Sequence, residues 1–209
     1  MPTDINWEEA IKPLLKKYKG KRHPLDYANV YQLLVMVVLS AQDSDRHINQ
    51  LAPKLFEAYP DMATLSHATP DALMFYIQGV RNAATKAKWL IGIATSVKTD
   101  GGIPLKQDPL TALPGIGRKS ANVIMREAGA AAEGIIVDLH VLRVAPRLGI
   151  ASGTDAKKIE QQMMRVLPQK QWDAGMAMSF LGREICRPQP KCDLCLMNVV
   201  CAYYNSNKH

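Results

Sequence analysis

Apolar residues make up 47% of this 209-residue chain, yet no long apolar run occurs. The longest, residues 33–39, falls far short of the about 20 residues a membrane-spanning helix needs. Residues 1–20 carry Asp4, Glu8 and Glu9 and lack the apolar centre of a signal peptide. The expectation is a soluble, intracellular, cytoplasmic protein with no membrane partner, acting as a monomer. Cysteine is absent until Cys186, and all four residues fall between Cys186 and Cys201. A disulfide framework would scatter them to staple distant loops, so clustering in an unsecreted chain points to a metal centre. Regular apolar–polar alternation is also missing, which excludes a sheet-based reading, and no internal repeat is visible. Acidic residues are in short supply, 19 against 26 Lys and Arg, for a net charge of +7. That excess favours a polyanionic partner, nucleic acid first, without establishing one.

What remains is helical periodicity. Trp7, Ile11, Leu14, Leu15 and Tyr18 fall on one helical face. Residues 27–39 are apolar enough to form a central buried helix. Ser40-Ala41-Gln42-Asp43-Ser44-Asp45 interrupts the pattern, with Asp45 expected to cap the helix that follows. Ile48, Leu51, Leu55 and Tyr59 line that helix, and Pro53 is expected to bend it. Thr69-Pro70-Asp71 combines a cap, a proline at the first helical position and an acid near the positive helix end. Further helices are predicted over 84–97, 109–113, 117–130, 138–148, 155–167 and 170–186, with 135–137 a buried connector. The Ala/Gly-rich stretch 128–134 is the best interior boundary, giving two packed domains.

The helices at 109–113 and 117–130 meet at Leu113-Pro114-Gly115-Ile116-Gly117-Arg118-Lys119. Two glycines two apart permit a tight reversal with positive φ and remove side chains that would hold a ligand off the backbone. The second helix then presents unpaired N–H groups and the positive end of its dipole, a seat for one phosphate oxygen. Arg118 puts a cation where a purely structural helix would prefer an acid. A helix–turn–helix connection without a ligand is the competing reading of these residues. Asp138 follows an apolar run and precedes a helical pattern, as an N-cap does.

The whole string Leu-Pro-Gly-Ile-Gly-Arg-Lys-Ser-Ala resembles the helix-hairpin-helix motif of DNA glycosylases, and residues 113–121 resemble the endonuclease III family in particular. Residues 33–42 with their Leu-Ser-Ala-Gln ending, residues 137–144 and the cysteine tail are similar to that family in the same order, so the likeness covers most of the chain. It implies an all-α, two-domain helix-hairpin-helix glycosylase architecture with a C-terminal [4Fe–4S] cluster loop. Residues 22–132 would form a helical-barrel domain carrying the hairpin. Residues 1–21 and 133–209 would form the iron–sulfur cluster domain, with the active cleft between the two.

The resemblance also assigns roles. Lys119 would be the nucleophile, since a helix N-terminus with Arg118 beside it favours a neutral amine. Attack at C1′ of a deoxyribose leaves an imine, and β-elimination then cuts the strand. Asp138 would stabilise positive charge at C1′ and help activate the amine. Gln42 would fill the gap left by a flipped nucleotide. Leu113, Gly115, Ile116, Gly117, Arg118 and His140 would contact DNA, with His140 and Arg143 supporting the site from one helix. The expected activity is a bifunctional DNA glycosylase and abasic-site lyase of base excision repair. Its partner would be double-stranded DNA with a damaged base or abasic site, the base an oxidised pyrimidine. The alternatives are a glycosylase for mismatched, deaminated or alkylated bases, and a non-catalytic DNA-binding module.

Cys186, Cys192, Cys195 and Cys201 are spaced Cys-x5-Cys-x2-Cys-x5-Cys. Four thiolates this close suit one metal centre, and structural zinc is a possible occupant. The resemblance favours a [4Fe–4S] cluster, although the first gap is one residue shorter here than in the family. Three further departures are visible. Residues 79–87 lack the family's tyrosine and carry extra residues, with Arg81 and Asn82 as candidates to probe the strand. Leu139 replaces the threonine that usually follows the aspartate, and Pro146 replaces an asparagine.

Overall fold

The computed structural model describes residues 5–207. Residues 1–4 and 208–209, including Asp4 and the outer ends of the expected cluster domain, lie outside the described residues. Among the described residues all α-helices and 3-10 turns account for the regular structure, with no strand. In chain order the α-helices are α1 (Trp7–Ala10), α2 (Lys12–Lys17), α3 (Val30–Ser40), α4 (Asp45–Ala58), α5 (Met62–Ser66), α6 (Pro70–Tyr76) and α7 (Ala83–Val97). There follow α8 (Gln107–Thr111), α9 (Arg118–Glu127), α10 (Val141–Leu148), α11 (Ala156–Val166), α12 (Ala174–Glu184) and α13 (Ala202–Ser206).

The departures from sequence periodicity have local causes. The apolar face of 7–18 reads as one helix, but Pro13 has no N–H to continue the ladder and the chain divides at Ile11 into α1 and α2. The central helix begins at Val30, because the Asn29 side chain accepts the Gln32 N–H and fixes the start. Ser44, not Asp45, caps α4: its hydroxyl accepts the His47 N–H at 3.2 Å, and Asp45 is the first helical residue. Helix α4 accommodates Pro53. The last predicted long helix starts only at Ala174, after a 3-10 turn over Gln169–Gln171. Residues 135–137 are irregular and buried, and the Glu160 carboxylate accepts the Ile135 N–H at 3.1 Å.

Two compact units form. One comprises residues 22–131 and is built around α3, whose residues 33–39 are all buried against α4, α7 and α9. Within it, α8 packs on α9, and the Tyr27 hydroxyl donates to Glu127 at the end of α9. The other unit joins the segment up to Lys21 with residues 132 onward. Its centre is the pair α10 and α12, with α11 and α13 against α10 and α2 against α12. Glu184 fastens the N-terminal segment to α12, accepting from the Tyr18 hydroxyl at 2.8 Å and Lys21 Nζ at 2.5 Å.

Helix α12 reaches its neighbours through missing side chains. A Cβ at Gly175 would lie 2.3 Å from the Ile136 carbonyl oxygen, and one at Gly182 would lie 2.8 Å from His140 Cβ. Gly175→Ala therefore overpacks a backbone contact that has no flexible side chain to yield. It is expected to lose about 1–3 kcal/mol, read as a lower urea-unfolding midpoint; an unchanged midpoint would show that residues 135–136 can retreat.

Candidate functional site

The turn between α8 and α9 assigns its two glycines different tasks. Gly115 alone takes positive φ, at +77°, and a Cβ there would fall 2.4 Å from the Trp89 ring on α7. Gly117 has φ −89° and ψ 174°, extended backbone open to any residue, and a Cβ there would meet nothing within 4 Å. The expected tight reversal with positive φ is present and falls on Gly115 alone, whereas Gly117 is the extended cap residue at the start of α9. The cap position itself is Gly117, which has no side chain to accept from that first turn. Ile116 is buried and its N–H donates to the Leu113 carbonyl, which is itself half-buried, so its side chain anchors the turn from inside.

Arg118 and Lys119 occupy the first two positions of α9, and both are exposed. The Arg118 guanidinium donates to Gln107 on α8, and Gln107 Nε2 donates at 2.7 Å to Asn122 Oδ1 on α9. Gln107 and Asn122 are buried, so this polar pair locks the two helices of the hairpin. Their periodic spacing gave no sign of it, because a buried Gln–Asn pair and two surface amides look alike in sequence.

The segment after α3 is held as firmly. Gln42 is exposed with φ 59°, a left-handed conformation unusual outside glycine. Lys86, 1% exposed, reaches from α7 to donate from Nζ to the carbonyls of Leu39 and Ala41, each at 2.6 Å. Burial pushes its ammonium below the usual lysine value, and the charge of Asp43 partly opposes that. Asp43 accepts from Ser44 N–H at 2.8 Å and from Arg81 N–H at 3.1 Å, and pairs with His47 Nδ1 at 2.9 Å. Partial burial alone would raise the Asp43 carboxyl, but these hydrogen bonds outweigh it and hold it below its ordinary value. The Arg81 contact stitches the Gln42 segment to residues 79–82, where Arg81 and Asn82 are exposed and Asn82 is also left-handed, at φ 57°.

In the other unit Asp138 lies in the turn that leads into α10. Its Oδ1 accepts the N–H groups of His140 and Val141, each at 2.9 Å, and its carbonyl accepts Leu142 N–H at 2.9 Å. That is N-cap geometry. Its Oδ2 accepts the hydroxyl of Ser179, a buried residue of α12 that sequence reasoning did not single out. Leu139 is 67% exposed beside it. His140 is half-buried, with Nδ1 3.3 Å from Arg143 Nη2. Arg143 also donates to the carbonyls of Cys186 and Gly182, each at 2.9 Å. One turn on, Arg147 donates to the carbonyls of Arg187 at 2.7 Å and Pro188 at 3.1 Å. Helix α10 continues through Pro146 to Leu148.

All four cysteines are free thiols, and all four line one pocket between α10, α12 and the C-terminal segment. Burial raises the thiols of Cys192, Cys195 and Cys201, and the neighbouring cysteines raise them further. Gathered thiolates repel one another, so the donor set fits a group that supplies positive charge. Among the described residues, no three His, Cys, Asp or Glu side chains are drawn together as around a single metal ion.

Residues 35–169 match the family described as HhH-GPD superfamily base excision DNA repair protein. Endonuclease III of Synechocystis sp. is 34% identical over 197 residues, covering 92% of this chain and 90% of that protein. Endonuclease III of Haemophilus influenzae is 31% identical, covering 95% and 97%. The fold matches a trapped endonuclease III–DNA covalent intermediate (estranged-adenine complex) with TM-score 0.85 and 29% identity, covering 96% of each chain. A non-covalent endonuclease III–DNA complex matches at 0.84 and 30%, covering 95% and 94%.

The two hairpin glycines separate in a stability measurement. Gly115→Ala combines positive φ with the Trp89 clash and is expected to cost about 1–3 kcal/mol, whereas Gly117→Ala stays within about 1 kcal/mol. Urea unfolding of both variants checks this, and equal losses would contradict the division of labour.

Proposed function

From a chain that belongs to the endonuclease III family, within the HhH-GPD superfamily of base excision DNA repair proteins, we infer a bifunctional DNA glycosylase and abasic-site lyase acting on duplex DNA. The observation that carries the reading is the start of α9: a glycine at the cap position, with Arg118 and Lys119 at the first two helical positions. A phosphate seated there places the sugar of a neighbouring nucleotide within reach of an amine.

The chemistry follows from the residues. Exposed Gln42 and the stitched 79–82 segment supply the surface that opens the base stack. Lys119, as the neutral amine, bonds to C1′ while the bond from C1′ to the base breaks and the base departs with its electron pair. The likeness to the family gives Asp138 the role of opposing, with its fixed carboxylate, the positive charge that develops at C1′. The attacking amine then gives up its protons, one of them to O4′ as the C1′–O4′ bond breaks and the sugar ring opens to an imine; the imine acidifies the C2′ proton, whose loss expels the 3′ phosphate, and hydrolysis returns Lys119. The proposed substrates are oxidised pyrimidines. Cys186, Cys192, Cys195 and Cys201 would hold a [4Fe–4S] cluster, favoured over one zinc ion by the likeness to the family and by a spacing with only one short Cys-x2-Cys pair. The cluster would pin the C-terminal segment against α10, and the reaction above needs no electron from it.

Incubation with a panel of single-lesion duplexes, scoring base release and strand cleavage separately, should show both on oxidised pyrimidines. Borohydride should trap a covalent adduct on abasic DNA with the wild type. Lys119→Ala trapping at the wild-type rate would remove the lysine from this role. Pure protein should absorb broadly in the visible, and chelation of iron should bleach it; colourless protein with one zinc per chain would overturn the cluster.

A further inference from the structure

Resting on the reading above, we propose that Ser179 is a positioning residue for the glycosylase step, bracing the Asp138 carboxylate from helix α12. The two N–H groups on Oδ1 are what any N-capping aspartate collects, and they leave Oδ2 to be placed. Oδ2 takes the Ser179 hydroxyl at 2.5 Å, from a residue 41 positions further along the chain. Leu139, the residue next to Asp138, is apolar and 67% exposed, so its side chain offers no donor from within the turn.

Ser179 is 0% exposed. A serine inside a helix ordinarily satisfies its hydroxyl on the carbonyl one turn back. Here the hydroxyl points out of the helix to a carboxylate on another segment. Gly175 and Gly182 flank it on the same face, pressed against Ile136 and His140 at distances no Cβ could tolerate. The helix is therefore held close enough for a side chain as short as serine to reach, and too close for the hydroxyl to swing away. With both oxygens held, the carboxylate plane cannot turn about its last torsion as charge builds at the sugar. Preorganisation of this kind acts on the transition state more than on binding.

The test compares wild type, Ser179→Ala, Ser179→Cys and Asp138→Asn in the full chain. The readouts are melting temperature, affinity for a duplex carrying a tetrahydrofuran abasic analogue, and single-turnover base release at saturating protein. Ser179→Ala should bind the analogue within about twofold of wild type while base release slows roughly tenfold to a hundredfold, the worth of a hydrogen bond to a charged group. Ser179→Cys, a weaker donor of similar size, should fall between them. Base release by Ser179→Ala at the wild-type rate overturns the proposal. So does a loss of rate matched by equal losses of affinity and melting temperature, the mark of a packing role. If the alanine variant does not fold, Ser179→Cys decides by the same criteria. An Asp138→Asn protein that releases base at the wild-type rate rejects the parent role of Asp138, and this proposal with it. A slow Asp138→Asn beside a fully active Ser179→Ala rejects the bracing role alone.

Discussion

The contact on which one half of the proposed chemistry depends is the close approach of α12 to residues 135–144. Two glycines and a serine on one face of α12 let it lie against backbone and Cβ atoms with no side chain between. That proximity fixes the buried connector 135–137, aligns the start of α10, and sets the depth at which the Asp138 carboxylate sits. The same helix faces the N-terminal segment through Glu184, which receives both Tyr18 and Lys21. Because α10 also carries Arg143 and Arg147, which hold the backbone around Cys186, the aspartate and the cysteine pocket share a single helical support.

The hairpin solves a different problem, starting a helix from a glycine cap without letting the turn collapse. Gly115 accepts the backbone reversal and the Trp89 ring, and Ile116 fills the interior beneath. The buried Gln107–Asn122 bond keeps the two helices in register and holds the Arg118 head to one side. The rigidity of the proposed anion site thus comes from beneath the turn.

Much of this was legible in the residues themselves. Turns and caps are written locally: Thr69-Pro70-Asp71 starts α6 as expected, and Leu113 to Lys119 announces a tight reversal ending at a cationic helix start. The all-α class follows from periodicity, and the pooling of the four thiols from their clustering. Other features were hidden because their meaning lies in a distant partner. Ser179 reads as a neutral helix residue until Asp138 is placed beside it. Lys86 looks like one more surface lysine of a basic chain, although it is buried against two carbonyls. The glycine pair was ambiguous for another reason: two identical residues, two apart, meet unlike surroundings. Pro13 was visible, but the apolar face running past it suggested one helix where the missing N–H makes two.

The buried ammonium of Lys86 has a consequence for how the molecule answers ionic strength. Its charge is matched by the carbonyl end of α3 rather than by a carboxylate in water, and mobile ions screen so enclosed a contact very little. The phosphate contacts proposed at the exposed start of α9 would belong to the opposite regime, because binding there would release counterions and weaken steeply as salt rises. Salt would then loosen the grip on a polyanion while leaving the Gln42 segment in its left-handed shape. In the proposed reading, affinity and the geometry that inspects a base pair would be carried by separate electrostatic compartments.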